Sequence, residues 1–193
     1  MGSLSYTSSL NIDTVIPETD FVFGNYFYSS SSWEDEGTLS GTASDIMSEV
    51  ALVEVQIKRP DDQTFYNGSG WDNLEAWNAA EGTDTWVYNI SSDQFENNTE
   101  YAVTARATDL GGNMSAVVAD TFRYDSEAPI SAIDLGAVFY NESSWSTDST
   151  ILGTASDSVS GLDIVMIQIK DTTAGTWFDG HSWVAQETWL DAS

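Results

Sequence analysis

A chain of 193 residues has room for one large domain or two of about 100 residues each. Its 31 acidic residues stand against 5 basic ones, a formal net charge of −26. A surface this anionic repels nucleic-acid phosphates and anionic lipid headgroups and attracts cations. Cysteine is absent, which excludes disulfides, thiolate metal sites and a thiol nucleophile, while 41% hydrophobic residues suffice for a packed core.

Taken in chain order, the elements follow a period of two rather than 3.6. After the Met1-Gly2-Ser3 start, with no leader pattern, strands are expected at Phe21–Tyr28 and Thr38–Ala43. Leu52–Lys58 alternates, with Val53, Val55 and Ile57 on one face and Glu54, Gln56 and Lys58 on the other. Thr85–Ile90 and Tyr101–Ala107 follow, the latter turning Tyr101, Val103, Ala105 and Ala107 inward, and then Val117–Tyr124. Between them stand the turn signals Arg59-Pro60-Asp61-Asp62, Asn67-Gly68-Ser69-Gly70 and Asp109-Leu110-Gly111-Gly112-Asn113. No amphipathic helix of ordinary length and no long apolar run suited to a bilayer is present. Short strands separated by turns in this number predict an all-β fold, an antiparallel β-sandwich.

The chain also repeats itself. GTLSGTASD at 37–45 matches STILGTASD at 149–157, and Pro17, Trp33, Gly41, Lys58, Trp71 and Trp77 match Pro129, Trp145, Gly153, Lys170, Trp183 and Trp189. Every pair is 112 positions apart (145 minus 33, 189 minus 77), without a gap. SLNIDTVIP at 9–17 matches TFRYDSEAP at 121–129 at the same offset. The expected organisation is therefore a closing strand and linker at 1–16, a complete repeat at 17–128 and the first part of a second at 129–193. Such an incomplete second repeat exposes Val165, Ile167 and Ile169 and is expected to self-associate.

GTASDSVSGLDIVMIQIKD, TWFDGHSWVAQETWL and YAVTARATDLGGN resemble the Ig-like, fibronectin-III-like tandem repeats of large bacterial and archaeal cell-surface proteins and adhesins. The Asp13–Pro17 and Asp125–Pro129 stretches are similar to their interdomain linkers. The resemblance implies tandem Ig-like sandwiches in an extracellular, cell-surface or secreted protein. Their role is adhesive, spacing or lattice-forming, and their partners are neighbouring repeats and cell-surface glycans or proteins. The paired cysteines of antibody domains are missing.

Candidate sites follow from residue chemistry. Asp45 and Asp157 close the GTASD motif, Asp109 and Asn113 bracket a glycine turn, and Asp125 and Glu127 lie at the junction of the repeats. Oxygen ligands at strand ends and in a linker suit Ca²⁺, although Asp and Asn also cap turns without any metal. The D-x-D-x-D-G loop of an EF-hand is absent. Trp71 and Trp77 are candidates for stacking on a sugar ring, against the plainer alternative of packing. The sole histidine, His181, stands where the first repeat has Ser69, so no nucleophile–base pair of the usual kind can be assembled and no enzyme is expected. The reading from sequence is a structural and adhesive spacer stiffened by calcium, with a carbohydrate-binding accessory module or a surface-lattice subunit as alternatives.

Overall fold

Alternating apolar side chains decide the architecture. A computed structural model describes residues 11–22, 24–36, 38–135 and 150–192. The chain divides into two units, Met1–Ser126 and Glu127–Ser193, close to the boundary expected after residue 128. Trp145 and most of the expected closing strand lie outside the described residues.

In chain order the first unit runs β1 (Glu18–Val22), β2 (Phe27–Tyr28), α1 (Ser30–Glu36), β3 (Leu39–Ser44), β4 (Val50–Arg59), β5 (Thr64–Tyr66), β6 (Trp71–Asp72), β7 (Asn78–Ala79), β8 (Thr85–Tyr88), β9 (Thr99–Asp109) and β10 (Val118–Tyr124). One sheet has the order β1-β3-β8. The other has the order β2-β10-β9-β4-β5-β6, with β7 also on β4. All neighbours are antiparallel except the short parallel pair of β2 and β10. The chain is all-β and sandwich-like, as its periodicity predicts.

β9 is the centre of the larger sheet. It pairs with β4 in a register that sets Val53 opposite Ala107, Val55 opposite Ala105 and Ile57 opposite Val103. All six side chains are buried, as is Tyr101. Leu39, Ala43 and Trp86 from the smaller sheet close the same core. Burial of this apolar surface is the main favourable term in folding. Gly41 leaves room for its neighbours in the smaller sheet: a Cβ there would lie 2.1 Å from the Asp20 carbonyl oxygen of β1 and 2.5 Å from the Trp86 ring of β8. That is the physical content of the glycine in the G-T-A-S-D motif.

The sequence pattern does not announce α1. Ser29 caps it: its Oγ accepts from the Ser32 N–H, and Ser32 Oγ accepts from the Ser29 N–H. The turn delivers Trp33 into the core, where the indole stacks on Phe122 and its Nε1 donates to the Ile90 carbonyl at 2.8 Å.

The second unit runs β11 (Ile130–Asp134), β12 (Leu152–Ser156), β13 (Met166–Ile167), β14 (Lys170–Asp171), β15 (Thr176–Phe178), β16 (Trp183–Val184) and β17 (Leu190–Asp191). Each of its pairings is a pairing of the first unit moved by 112 positions. Ile130 faces Ser156 as Glu18 faces Ser44, and Ile167 faces Leu190 as Val55 faces Asn78. Phe178 faces Trp183 as Tyr66 faces Trp71. The counterpart of β4 at the 112-residue offset forms two short pieces, β13 and β14, instead of one long strand. None of the described residues of this unit is buried.

Candidate metal centre

Three segments meet at one end of the first sandwich. Asp13 lies in the stretch leading into β1, Asp45 follows β3, and Asp109 ends β9. One carboxylate oxygen from each lies within 4.8 Å of the other two. At an effective dielectric constant near 20, two like charges at that distance repel by about 3 kcal/mol. The arrangement therefore favours a bound cation.

Local turns hold each group. Asp13 Oδ1 accepts from the Val15 N–H at 2.9 Å. Asp45 Oδ1 accepts from Met47 and Ser48 N–H at 2.7 and 2.8 Å, an Asx turn opening the β3–β4 loop. Asp109 is 2% exposed, and its two oxygens accept from the backbone N–H and the side-chain Nδ2 of Asn113. Burial pushes the Asp109 carboxyl up, but these bonds and those from Gly111 and Gly112 N–H outweigh it and hold the group below its usual range. The Leu110 N–H donates to the Glu49 carbonyl, tying the two loops together.

What remains uncompensated is informative. Asp13 Oδ2 and Asp45 Oδ2 are both buried and neither receives a hydrogen bond; the same is true of Ser48 Oγ on the Asp45 loop. A buried oxygen without a partner is costly, and a carboxylate oxygen more so. The donor set is oxygen only, which fits a hard cation such as Ca²⁺ and not the nitrogen- and sulfur-seeking metals.

The sequence-predicted residues separate on this geometry. Asp45 and Asp109 come together. Asn113 orients Asp109 and reaches the Asp13 carbonyl through Nδ2 at 3.4 Å, so it stands behind the carboxylates as a support. Asp157 acts as a turn cap: the Val159 N–H leads, with Gly161 and Ser160 N–H, in holding its carboxyl below the usual range. Asp125 is buried at the end of the first unit, where its N–H donates to the Tyr28 carbonyl. Glu127 is exposed and accepts from Ser158 Oγ. Asp13 was not among the candidates. Its signal was present, because the 112-residue offset pairs it with Asp125.

The tryptophans have packing partners. The Arg59 guanidinium lies 4.4 Å from the Trp71 ring centre, Tyr66 and Tyr101 flank the ring, and its Nε1 donates to the Gln94 carbonyl. Arg106 covers the Trp77 ring at 3.9 Å while donating to Glu54, and Trp77 Nε1 donates to Glu75. Each guanidinium covers one face of its ring. His181 is exposed in a turn closed by Asp179, which accepts from the His181 and Ser182 N–H groups.

Beside Asp45, between β1–β3 and the start of β10, runs a cleft of about 1140 Å³ whose lining includes Glu18, Asp20, Glu49 and Asp84. Its carboxylates raise the local cation concentration near the triad. No model of a known protein family, no curated protein and no solved structure matches the chain.

Proposed function

We propose that the chain is a non-catalytic stretch of tandem Ig-like sandwiches from an extracellular cell-surface protein, a spacer whose incoming segment is fixed by Ca²⁺ at Asp13, Asp45 and Asp109. The observation that carries this reading is the pair of buried, unbonded carboxylate oxygens beside Asp109. One ligand comes from the segment that enters the sandwich and two come from its body. A cation there clips the entering chain to the end of the module and limits its swing, which is what an extended array requires. Extracellular calcium modules work with dissociation constants of about 10⁻⁴–10⁻³ M, within reach of a site built from a few carboxylates.

Two further observations support the tandem Ig-like part. The strand registers of the second unit repeat those of the first at a constant offset. Tyr101, near the start of a central strand, accepts a hydrogen bond from a backbone N–H five residues upstream, the corner arrangement of Ig-type sandwiches.

Thermal unfolding tests the proposal. Ca²⁺ at 5 mM, roughly five times the weaker of those constants or more, is expected to raise the Tm over that in chelator, because a ligand of the folded state stabilises it by mass action. Sodium chloride at matched ionic strength should not. Equal melting in calcium and in sodium would remove the cation from the account.

A further inference from the structure

The second unit presents a sheet edge for which the first unit shows the cover. In the first unit β4 uses one side for β5 and β7 and gives the other to β9. In the second unit the equivalent stretch has its first side filled in the same way. β14 takes β15, β13 takes β17, and the Ala192 N–H donates to the Val165 carbonyl as the Ala80 N–H does to Val53. Among the described residues no strand occupies the other side. Val53, Val55 and Ile57 are fully buried under that arrangement in the first unit. Their counterparts Val165, Ile167 and Ile169 are only half-buried, and Leu162, Ile164 and Met166 beside them are exposed.

We propose that the Val165–Ile169 edge of the second unit is an acceptor site for a β-hairpin of the β9–β10 kind, whose inward positions carry the residues of Tyr101, Val103, Ala105 and Ala107. The register follows from the first unit: the positions of Ala107, Ala105 and Val103 fall opposite Val165, Ile167 and Ile169. Small residues at two of the three positions let the incoming strand lie close. Charge favours the same occupant. Residues 127–193 carry ten carboxylates against Lys170 alone. The hairpin Thr99–Tyr124 nearly balances Glu100, Asp109 and Asp120 with Arg106 and Arg123. A whole second copy, at −26, meets far stronger repulsion. Main-chain hydrogen bonds supply the attachment and the alternating pockets supply the selectivity.

The site rests on the tandem-repeat reading and not on the metal, so the test is run with and without chelator. A copy of residues 82–126 is appended after Ser193, and amide hydrogen exchange is compared with that of the unextended chain. The extended protein is expected to be monomeric by light scattering, with exchange at Met166 and Gln168, whose N–H groups face the open side, slowed roughly a hundredfold or more. The same extension carrying Val103→Asp and Ala105→Asp in the added copy should leave these amides fast. Equal exchange in the extended and unextended chains would overturn the proposal. So would slow exchange in the unextended chain: as a monomer it would show that the edge needs no partner, and as a dimer that a second copy is the occupant.

Discussion

The hydroxyl of Tyr101 accepts a hydrogen bond from the backbone N–H of Glu96 at 2.7 Å, with its ring fully buried against Phe95, Phe122 and Trp71. The bond joins the first turn of β9 to the loop before it. The ring joins β9 to the aromatic cluster around Trp33.

Burial is the main reason the Tyr101 phenol is pushed up to about 12. The neutral form is thus favoured in the folded state, and the unfolded value is about 10. Stability from this group is full below pH 10 and is lost as pH rises to 12, a loss on the order of 2–3 kcal/mol. Chemical denaturation at pH 9 and pH 11.5 should show it. Tyr101→Phe is expected to cost about 1–2 kcal/mol at neutral pH and to flatten the alkaline decline. An unchanged decline in that variant would mean that other groups cause it.

Gly41→Ala is expected to destabilise the first unit by about 2–3 kcal/mol, because the added methyl meets the backbone of β1 and the face of Trp86. Denaturant midpoints of the variant and the parent measure it. A change within about 0.5 kcal/mol, typical of an unremarkable surface site, would show that β1 can move aside.

Arg106 joins Glu54 on the adjacent strand and stacks on Trp77. Arg106→Gln should cost about 1 kcal/mol, with the ion-pair share reduced in high salt and the stacking share retained. A double-mutant cycle with Trp77→Ala separates the shares. Strict additivity in that cycle would show that the stacking contributes nothing.

Much of this structure is legible in the sequence, because residues on a half-buried strand must alternate. Val53-Val55-Ile57 and Tyr101-Val103-Ala105-Ala107 identify β4 and β9, and the 112-residue offset foretells the pairings of the second unit. The α1 turn was not legible: seven residues are too few for a helical period, and its serines act through caps. The expected strand Phe21–Tyr28 breaks into β1 and β2, in different sheets, since a run of apolar residues does not say where the chain changes layer. Of the candidate site, Asp45 and Asp109 could be nominated as strand-end carboxylates. Only folding shows that Asp13 joins them while Asp157 is used up in a turn.

The most direct test of the cation centre is isothermal titration of the full chain with calcium chloride, compared with Asp13→Asn and Asp45→Asn, in which the amide Oδ1 can still accept the turn hydrogen bonds. The parent is expected to show saturable binding with a dissociation constant of about 1 mM or tighter. That binding should weaken at least tenfold in each variant, while in chelator both variants, relieved of like-charge repulsion, should melt no lower than the parent. No saturable heat in the parent, or binding undiminished in both variants, would contradict calcium at this junction.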